Sequence, residues 1–372
     1  MNDLDASCRR LYSVHSKQRY LFFENKQYLN LSSNDYLGLS SEQLQHEFLD
    51  TCKPFERFAL SNPSSRLMTG NSECYDDLEH SISQLFGKEN ALVLSCGYMI
   101  NSSLLGAISE PGDLIIADKL VHASIVDGMR LSLRDFLRFR HGDMAHLRSL
   151  LEKNRALYKR VFVVVESIYS MDGDVAPIME LIALKKEFNI VLYVDEAHAF
   201  GVRGKNGAGL AEELGVGSQI DIIVATLGKA TASQGGFVVC SNSVKELLIN
   251  KMRGLIFSTA LPDISLMWSK FIIDRLPSFS SKREHLKKIS TLLAHSLSLS
   301  GMQSHIIPIV VGSNEAAVKL QMKLRDGGYW VSAIRHPTVA KGSERIRISL
   351  SADITEQEMN DFTTFFTKEN KV

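Results

Sequence analysis

Apolar residues in this chain fall mostly in short unbroken runs, separated by longer amphipathic stretches. DLIIAD at 113–118, VFVVVES at 161–167, IVLYVDE at 190–196, DIIVAT at 221–226 and GFVVCS at 236–241 are rich in β-branched residues, and LRDFLRF at 133–139 is a mixed version of the same pattern. Continuous runs predict strands covered on both faces, hence a mostly parallel sheet with connections crossing over it. Between them the spacing predicts helices. CYDDLEHSISQLFGKE carries a stripe of Leu78, Ile82, Leu85 and Phe86, and PIMELIALKKEF at 177–188 starts on a proline. ALVLSCGYMINSSLLGAI reads as a short strand, a glycine turn and a helix.

The two ends follow other patterns. Residues 3–20 mix charge with Leu4, Leu11, Tyr12 and Val14 and predict a short amphipathic helix. LFFENKQYLN then reads as a hairpin turning at Glu24-Asn25-Lys26, and LSSNDYLGLS as a polar loop. After Pro262 the pattern predicts long helices interrupted at Pro277. HIIPIVVG at 305–312, a helix over 316–328, WVSAIRHP at 330–337 and RIRISLS at 345–351 then suggest a smaller α+β domain. A final helix is opened by the pair Thr355 and Glu358, a capping-box spacing. The expected organisation is a helix and arm over 1–40, a large α/β domain over 41–262 and a small domain over 263–372.

Composition narrows the classes. The 372 residues carry 42 basic and 42 acidic side chains and are 45% apolar, which suits a globular protein and predicts neither a nucleic-acid groove nor a membrane partner. The 5 cysteines are widely spaced, without a C-x-x-C pair, so neither a disulfide framework nor a metal site is expected. The N-terminus lacks an apolar leader, and the expected location is cytoplasmic.

Candidate chemistry gathers at strand ends. Lys229 follows IDIIVATLG among small residues that leave room for a ligand; desolvation there would favour the free amine that forms a Schiff base. Asp195 closes another apolar run, where it could pair with a protonated pyridine nitrogen or serve a structural ion pair. His198 lies three residues on and could meet a ring oxygen or fill a loop. The turn at Gly97-Tyr98 could offer backbone N–H groups to a phosphate, and Thr226 a hydroxyl. His122 in VHAS could stack on a ring. Arg345 and Arg347 alternate along one strand face, and either suits a carboxylate.

These residues stand within an ordered set of motifs that resembles the α-oxoamine synthases, a branch of the class-II pyridoxal-phosphate-dependent aminotransferase family. The set is LSSNDYLGLS at 31–40, Ser65 to Gly70, VHAS at 121–124, ESIYSMDGD at 166–174, VDEAHAFG at 194–201, ATLGKA at 225–230, FSTALP at 257–262 and HPTVAKGSERIRISLS at 336–351. The resemblance implies a fold-type I enzyme, α/β with a mostly parallel seven-stranded sheet, that uses pyridoxal 5'-phosphate to condense an amino acid with an acyl thioester and release CO2. By it, Lys229 binds the cofactor, Asp195 pairs with the pyridine nitrogen, His198 contacts the ring oxygen and His122 stacks. Gly97, Tyr98, Ser170 and Thr226 complete the cofactor site, with Thr259 lent across a homodimer. Asn34 and Arg347 address the amino acid's carboxylate, Arg345 being the less favoured arginine, and His141 lies near the cofactor on the substrate side.

Two stretches depart from the family's pattern. Leu60-Ser61-Asn62-Pro63-Ser64-Ser65 replaces a glycine-rich lead into Arg66, which predicts a stiffer or rerouted loop. Ala199-Phe200 replaces small polar residues and is expected to alter the wall near His198. Among the family's reactions, the closing IRHPTVAKGSERIRISL implies L-alanine with pimeloyl-CoA or pimeloyl acyl carrier protein, whereas SIVDGMRL at 124–131 is similar to members that use glycine and acetyl-CoA. Aminotransfer or β-elimination on the same fold, and a regulatory or cofactor-storing dimer, are the alternatives from other classes.

Overall fold

The computed structural model describes residues 11–52, 59–299 and 301–369, and the chain divides into two compact units. The larger comprises Gln43–Tyr169 and Val175–Ser280. Its seven-stranded sheet runs, in spatial order, Asn90–Leu94, Gly236–Cys240, Ile222–Thr226, Val191–Asp195, Val161–Glu166, Leu114–Asp118 and Asp135–Phe139. All pairings are parallel except those of Gly236–Cys240, which is antiparallel to both neighbours. The expected mostly parallel sheet is therefore present.

Parallel pairing has a chemical consequence. It brings the carboxyl ends of Leu114–Asp118, Val161–Glu166, Val191–Asp195 and Ile222–Thr226 to one rim, where α/β sheets place ligands. Register aligns Glu166 with Asp195 on neighbouring strands. Apolar packing fixes the helices behind that rim. Leu104, Leu105, Ile125 and Met129 from helices Gly97–Ile108 and Ala123–Ser132 are fully buried, each contributing about 1.5–3 kcal/mol. The two helices approach closely because Gly128 has no side chain: a Cβ there would lie 2.0 Å from the Asn101 carbonyl oxygen.

The chain after Pro262 does not leave this unit at once. Helix Asp263–Arg275 and the turn Leu276–Phe279 belong to the larger unit, displacing the boundary from 262 to 280. The tie is local: Trp268 Nε1 donates to the Ala232 carbonyl at 3.0 Å, just beyond Lys229.

The smaller unit gathers the N-terminal stretch through Glu42, Ser170–Asp174 and the chain from Ser281 onward. Strands Tyr20–Phe23 and Lys26–Asn30 form the expected hairpin, turned by Glu24 and Asn25 at φ 49° and 60°, the left-handed pair that a two-residue turn requires. The predicted helix over 3–20 is corrected. Residues 1–10 lie outside the described residues, and His15–Lys17 is a strand paired with Tyr20–Phe22. Tyr12 instead packs edge-on against Phe23 and Trp330, at 5.4 and 5.7 Å between ring centroids, so aromatic contact outweighs helical periodicity. A second sheet joins Ile306–Val310, Arg345–Ser349 and Ser332–Ile334, all antiparallel. Among the described residues no helix is long and apolar enough to cross a membrane.

The final helix, Glu356–Glu369, has its capping box: Thr355 N donates to Glu358 at 2.8 Å, and Glu358 N donates to Thr355 Oγ1 at 3.2 Å. Glu358 also accepts from Arg19 Nε at 2.8 Å and Tyr20 Oη at 2.6 Å. Burial alone would raise its pKa, but these donors prevail and lower it to about 2 from 4.5. A depressed carboxyl stabilises the fold above its unfolded pKa and loses that contribution as pH falls through the folded one. Glu358→Gln is therefore expected to flatten the acid limb between about pH 4.5 and 2 in urea titrations, relative to wild type; an unchanged limb would deny the linkage.

Candidate active site

Lys229 sits in the connection between the antiparallel strands Ile222–Thr226 and Gly236–Cys240. That connection is held from inside: Leu227 N donates to Gly235 O at 3.0 Å, Thr231 Oγ1 to Leu227 O at 2.9 Å, and Ala232 N to Lys229 O at 2.8 Å. The half-buried side chain therefore leaves a rigid base. Its Nζ lies 2.8 Å from His198 Nε2, which comes from the turn after Val191–Asp195. Lys229 and His198 thus meet at the strand ends; this contact between them was not among the sequence expectations.

Asp195, 4% exposed, ends its strand with both oxygens occupied: Oδ2 accepts from Asn101 Nδ2 at 2.8 Å and Oδ1 from Ala197 N at 2.9 Å. Asn101 is itself oriented, since its Oδ1 accepts from Tyr193 Oη and its Nδ2 also donates to Ser124 Oγ at 3.0 Å. Ser124 Oγ in turn lies 2.7 Å from His122 Nδ1. One chain of hydrogen bonds thus links His122 to Asp195, through side chains that sequence reasoning assigned no role. Partial burial pushes the His122 pKa down, opposed by Asp195 and reinforced by Lys229. Burial pushes the neighbouring Glu166 carboxyl well up; Asp195 adds to this and Lys229 opposes it.

The glycine turn lies where expected. Gly97 opens helix Gly97–Ile108, whose preceding residue, Cys96, provides no side-chain cap. A Cβ on Gly97 would lie 3.4 Å from Thr226 Cβ, so hydroxyl and helix start are neighbours; a Cβ on Gly236 would press to 2.9 Å of Gly97 N. Tyr98 stands at the same helix start, its ring edge-on to His122 at 6.5 Å and its hydroxyl donated to Asp127. These residues fit pyridoxal phosphate on their own chemistry. An uncapped helix start beside a hydroxyl suits the phosphate, a buried carboxylate the ring nitrogen, and an amine in contact with an imidazole the aldehyde.

Other expected residues keep different company. His141 Nδ1 is 2.9 Å from Asp118 Oδ1, and its ring stands edge-on to Tyr169 at 4.4 Å. Burial would raise the Asp118 pKa, but His141 and the N–H groups of Leu120 and Gly142 bring it below its usual value. Thr259 bridges Ser65 and accepts at its carbonyl from Ser95 Oγ at 2.9 Å. Asn62 anchors the proline-containing loop by donating to Gly70 O at 2.9 Å. Half-buried Arg66 pairs with Glu79 at 2.6 Å and lies 3.9 Å over the Tyr75 ring. Phe200 corrects an expectation: it stacks with Phe86 and meets Phe237 edge-on in the core, because an apolar ring is better buried than presented to a ligand.

Within the smaller unit, Asn34, Ser170 and Arg347 come together. Arg347 Nε donates to Ser170 O at 2.6 Å and Nη1 to Ser349 Oγ at 2.6 Å. Tyr36 Oη donates to Asn34 Oδ1 at 3.1 Å and accepts from Arg347. Arg345, two residues earlier, is committed to Asp172 and to Met171 O.

Known proteins agree with this geometry. The aminotransferase class I and II family matches residues 26–366. An 8-amino-7-oxononanoate synthase of Haemophilus ducreyi is 46% identical over 365 residues, covering 95% of this chain and 94% of that protein. A serine palmitoyltransferase from S. paucimobilis with bound PLP and myriocin superposes with a TM-score of 0.89 at 28% identity, over 96% of this chain and 92% of its own. The 8-amino-7-oxononanoate synthase of Francisella tularensis gives 0.77 at 26% identity, over 92% and 98%. On a fold-type I sheet and by these likenesses, the chain belongs to the aminotransferase class I and II family and, within it, to the pyridoxal-phosphate-dependent α-oxoamine synthases.

Proposed function

We propose that this α-oxoamine synthase is an 8-amino-7-oxononanoate synthase of biotin biosynthesis. It joins L-alanine to a pimeloyl thioester, carried on CoA or on an acyl carrier protein, and releases CO2 and the free thiol. The supporting observation is the 46% identity over 95% of the chain to a synthase of that description, against 28% to the palmitoyltransferase. Decarboxylative condensation is common to the family.

Pyridoxal phosphate, when bound, supplies a pyridinium ring that spreads the electron pair left at the amino acid's α-carbon. The chain's own residues do the rest. Lys229 Nζ takes the α-proton and returns a proton at the end, a transfer worth roughly 10²–10⁴-fold when the base is positioned. His198, 2.8 Å from that nitrogen, aims it and would also offer its ring to the cofactor's oxygen. Asp195 would pair with the ring nitrogen, and His122 would lie against the ring. Gly97, Tyr98 and Thr226 would hold the phosphate; by the family resemblance Ser170 would join the cofactor's surroundings. Asn34 and Arg347 would bind the carboxylate, and His141 would border the substrate.

A homodimer completes this reading, with Thr259 contributed to the second copy's phosphate site. Ser65 bridges Thr259, so the segments Arg66–Gly70 and 257–262 run side by side, and they expose Met68 at 78% and Phe257 at 70%. Large apolar side chains in that position suit cover by a second copy.

A second reading, glycine with acetyl-CoA, rests on SIVDGMRL at 124–131. Holoenzyme supplied with either amino acid and either thioester separates the two. CO2 and free thiol should appear fastest with alanine and the pimeloyl donor; preference for glycine and acetyl-CoA would replace this assignment.

A further inference from the structure

The loop 31–40 is built to hold one phenol still. Ser349 N donates to Leu31 O and Ala352 N to Tyr36 O, each at 2.8 Å, which lays the loop along strand Arg345–Ser349. Asp35 closes it by accepting from Leu39 N at 2.8 Å and Ser40 N at 3.0 Å. Tyr36 is fully buried, its ring 4.0 Å from that of His305. Only its hydroxyl has polar work, between Arg347 and Asn34.

The direction of donation follows from chemistry. A guanidinium can only donate, and a phenol has one proton. Arg347 therefore gives to Tyr36, and Tyr36 gives to Asn34 Oδ1. With its oxygen turned toward the Tyr36 phenol, the amide points its Nδ2, with two protons, away from that phenol, and this is the end that addresses a ligand. Arg347 is pinned as well, since Nε and Nη1 are fixed on Ser170 O and Ser349 Oγ. The result is a guanidinium and an amide NH2 held by one hydroxyl, a surface of donors that suits a carboxylate and repels an ammonium.

We propose that Tyr36 is the positioning residue of the amino-acid carboxylate site, fixing the Asn34 amide with Nδ2 toward the ligand and bracing Arg347. This rests on the reading of Arg347 as the carboxylate-binding arginine. Burial pushes the Tyr36 hydroxyl up to about 12, against the opposing pull of Arg347, so it remains a donor throughout the neutral range.

The test uses holoenzyme titrated with L-alanine and followed by the cofactor's absorbance, beside thermal unfolding and the KM for the thioester. Tyr36→Phe should weaken alanine binding roughly tenfold, the usual scale for a lost hydrogen bond in a charged network, with thioester KM and absorbance of the free holoenzyme unchanged. Asn34→Asp should bind alanine more weakly than Asn34→Ala, because it sets a negative oxygen where a donor stood. Arg347→Lys controls for the underlying reading. Wild-type affinity in Tyr36→Phe with affinity lost in Arg347→Lys overturns the proposal. Wild-type affinity in both removes the Arg347 reading instead. Asn34→Asp binding alanine as well as or better than Asn34→Ala would mean that the oxygen faces the ligand, which also overturns it. That last comparison decides the matter even if Tyr36→Phe does not fold.

Discussion

Lys229→Ala is expected to abolish condensation, lowering turnover roughly 10⁴-fold or more, because on the proposed reading it removes both the covalent anchor of the cofactor and the base that moves the α-proton. The loss should be chemical rather than structural. Lys229 is only partly buried, and its connection is held by backbone bonds and by Thr231, none of which uses the amine. Three measurements separate these causes. Exchange of the alanine α-proton with deuterated solvent should stop, while alanine still perturbs the cofactor's absorbance. Borohydride treatment of wild type, followed by peptide mapping, should place the cofactor's mass on Lys229. A small primary amine added to the variant should restore part of the exchange. Undiminished turnover would take Lys229 out of the mechanism altogether.

What made this lysine legible was a strand-end pattern. An apolar, β-branched run with a charged residue at or just past its end marks the rim of a parallel sheet, and two such runs delivered Asp195 and Lys229. The same logic explains the hairpin, since two left-handed residues at Glu24-Asn25 leave few other turns. Contacts between distant helices were not legible. Asn101 reaches Asp195 across 94 positions, and the approach of its helix to Ala123–Ser132 depends on Gly128, which resembles any other helix glycine in the sequence. Neighbouring acids were equally opaque. Glu196 adjoins Asp195, yet it is fully buried and accepts from Leu210 N at 3.0 Å and Ala211 N at 2.8 Å, a task of loop closure. The tie from Trp268 to Ala232 kept helix Asp263–Arg275 in the larger unit, and the change of pattern after Pro262 could not reveal it.

Asp195→Asn is expected to lower kcat about 10²–10³-fold, the range for removing one preorganised electrostatic partner of a developing charge. The carboxylate's two oxygens each accept one protein donor, Asn101 Nδ2 and Ala197 N. An amide has only one acceptor oxygen, so its NH2 must oppose one of those donors or turn out of the network. The negative charge is lost in either case, and Glu166 next to it, whose carboxyl burial pushes well up, is poorly placed to replace that charge. Asn101→Ala should cost less, about tenfold, because it removes one orienting bond and leaves the charge. The double variant is the sharper test. If Asn101 acts only by aiming Asp195, it should add almost nothing once Asp195 is Asn, a non-additivity that a double-mutant cycle reads directly. Additive losses in kcat would show instead that Asn101 serves the reaction through Ser124 and His122, the other arm of its hydrogen-bond chain.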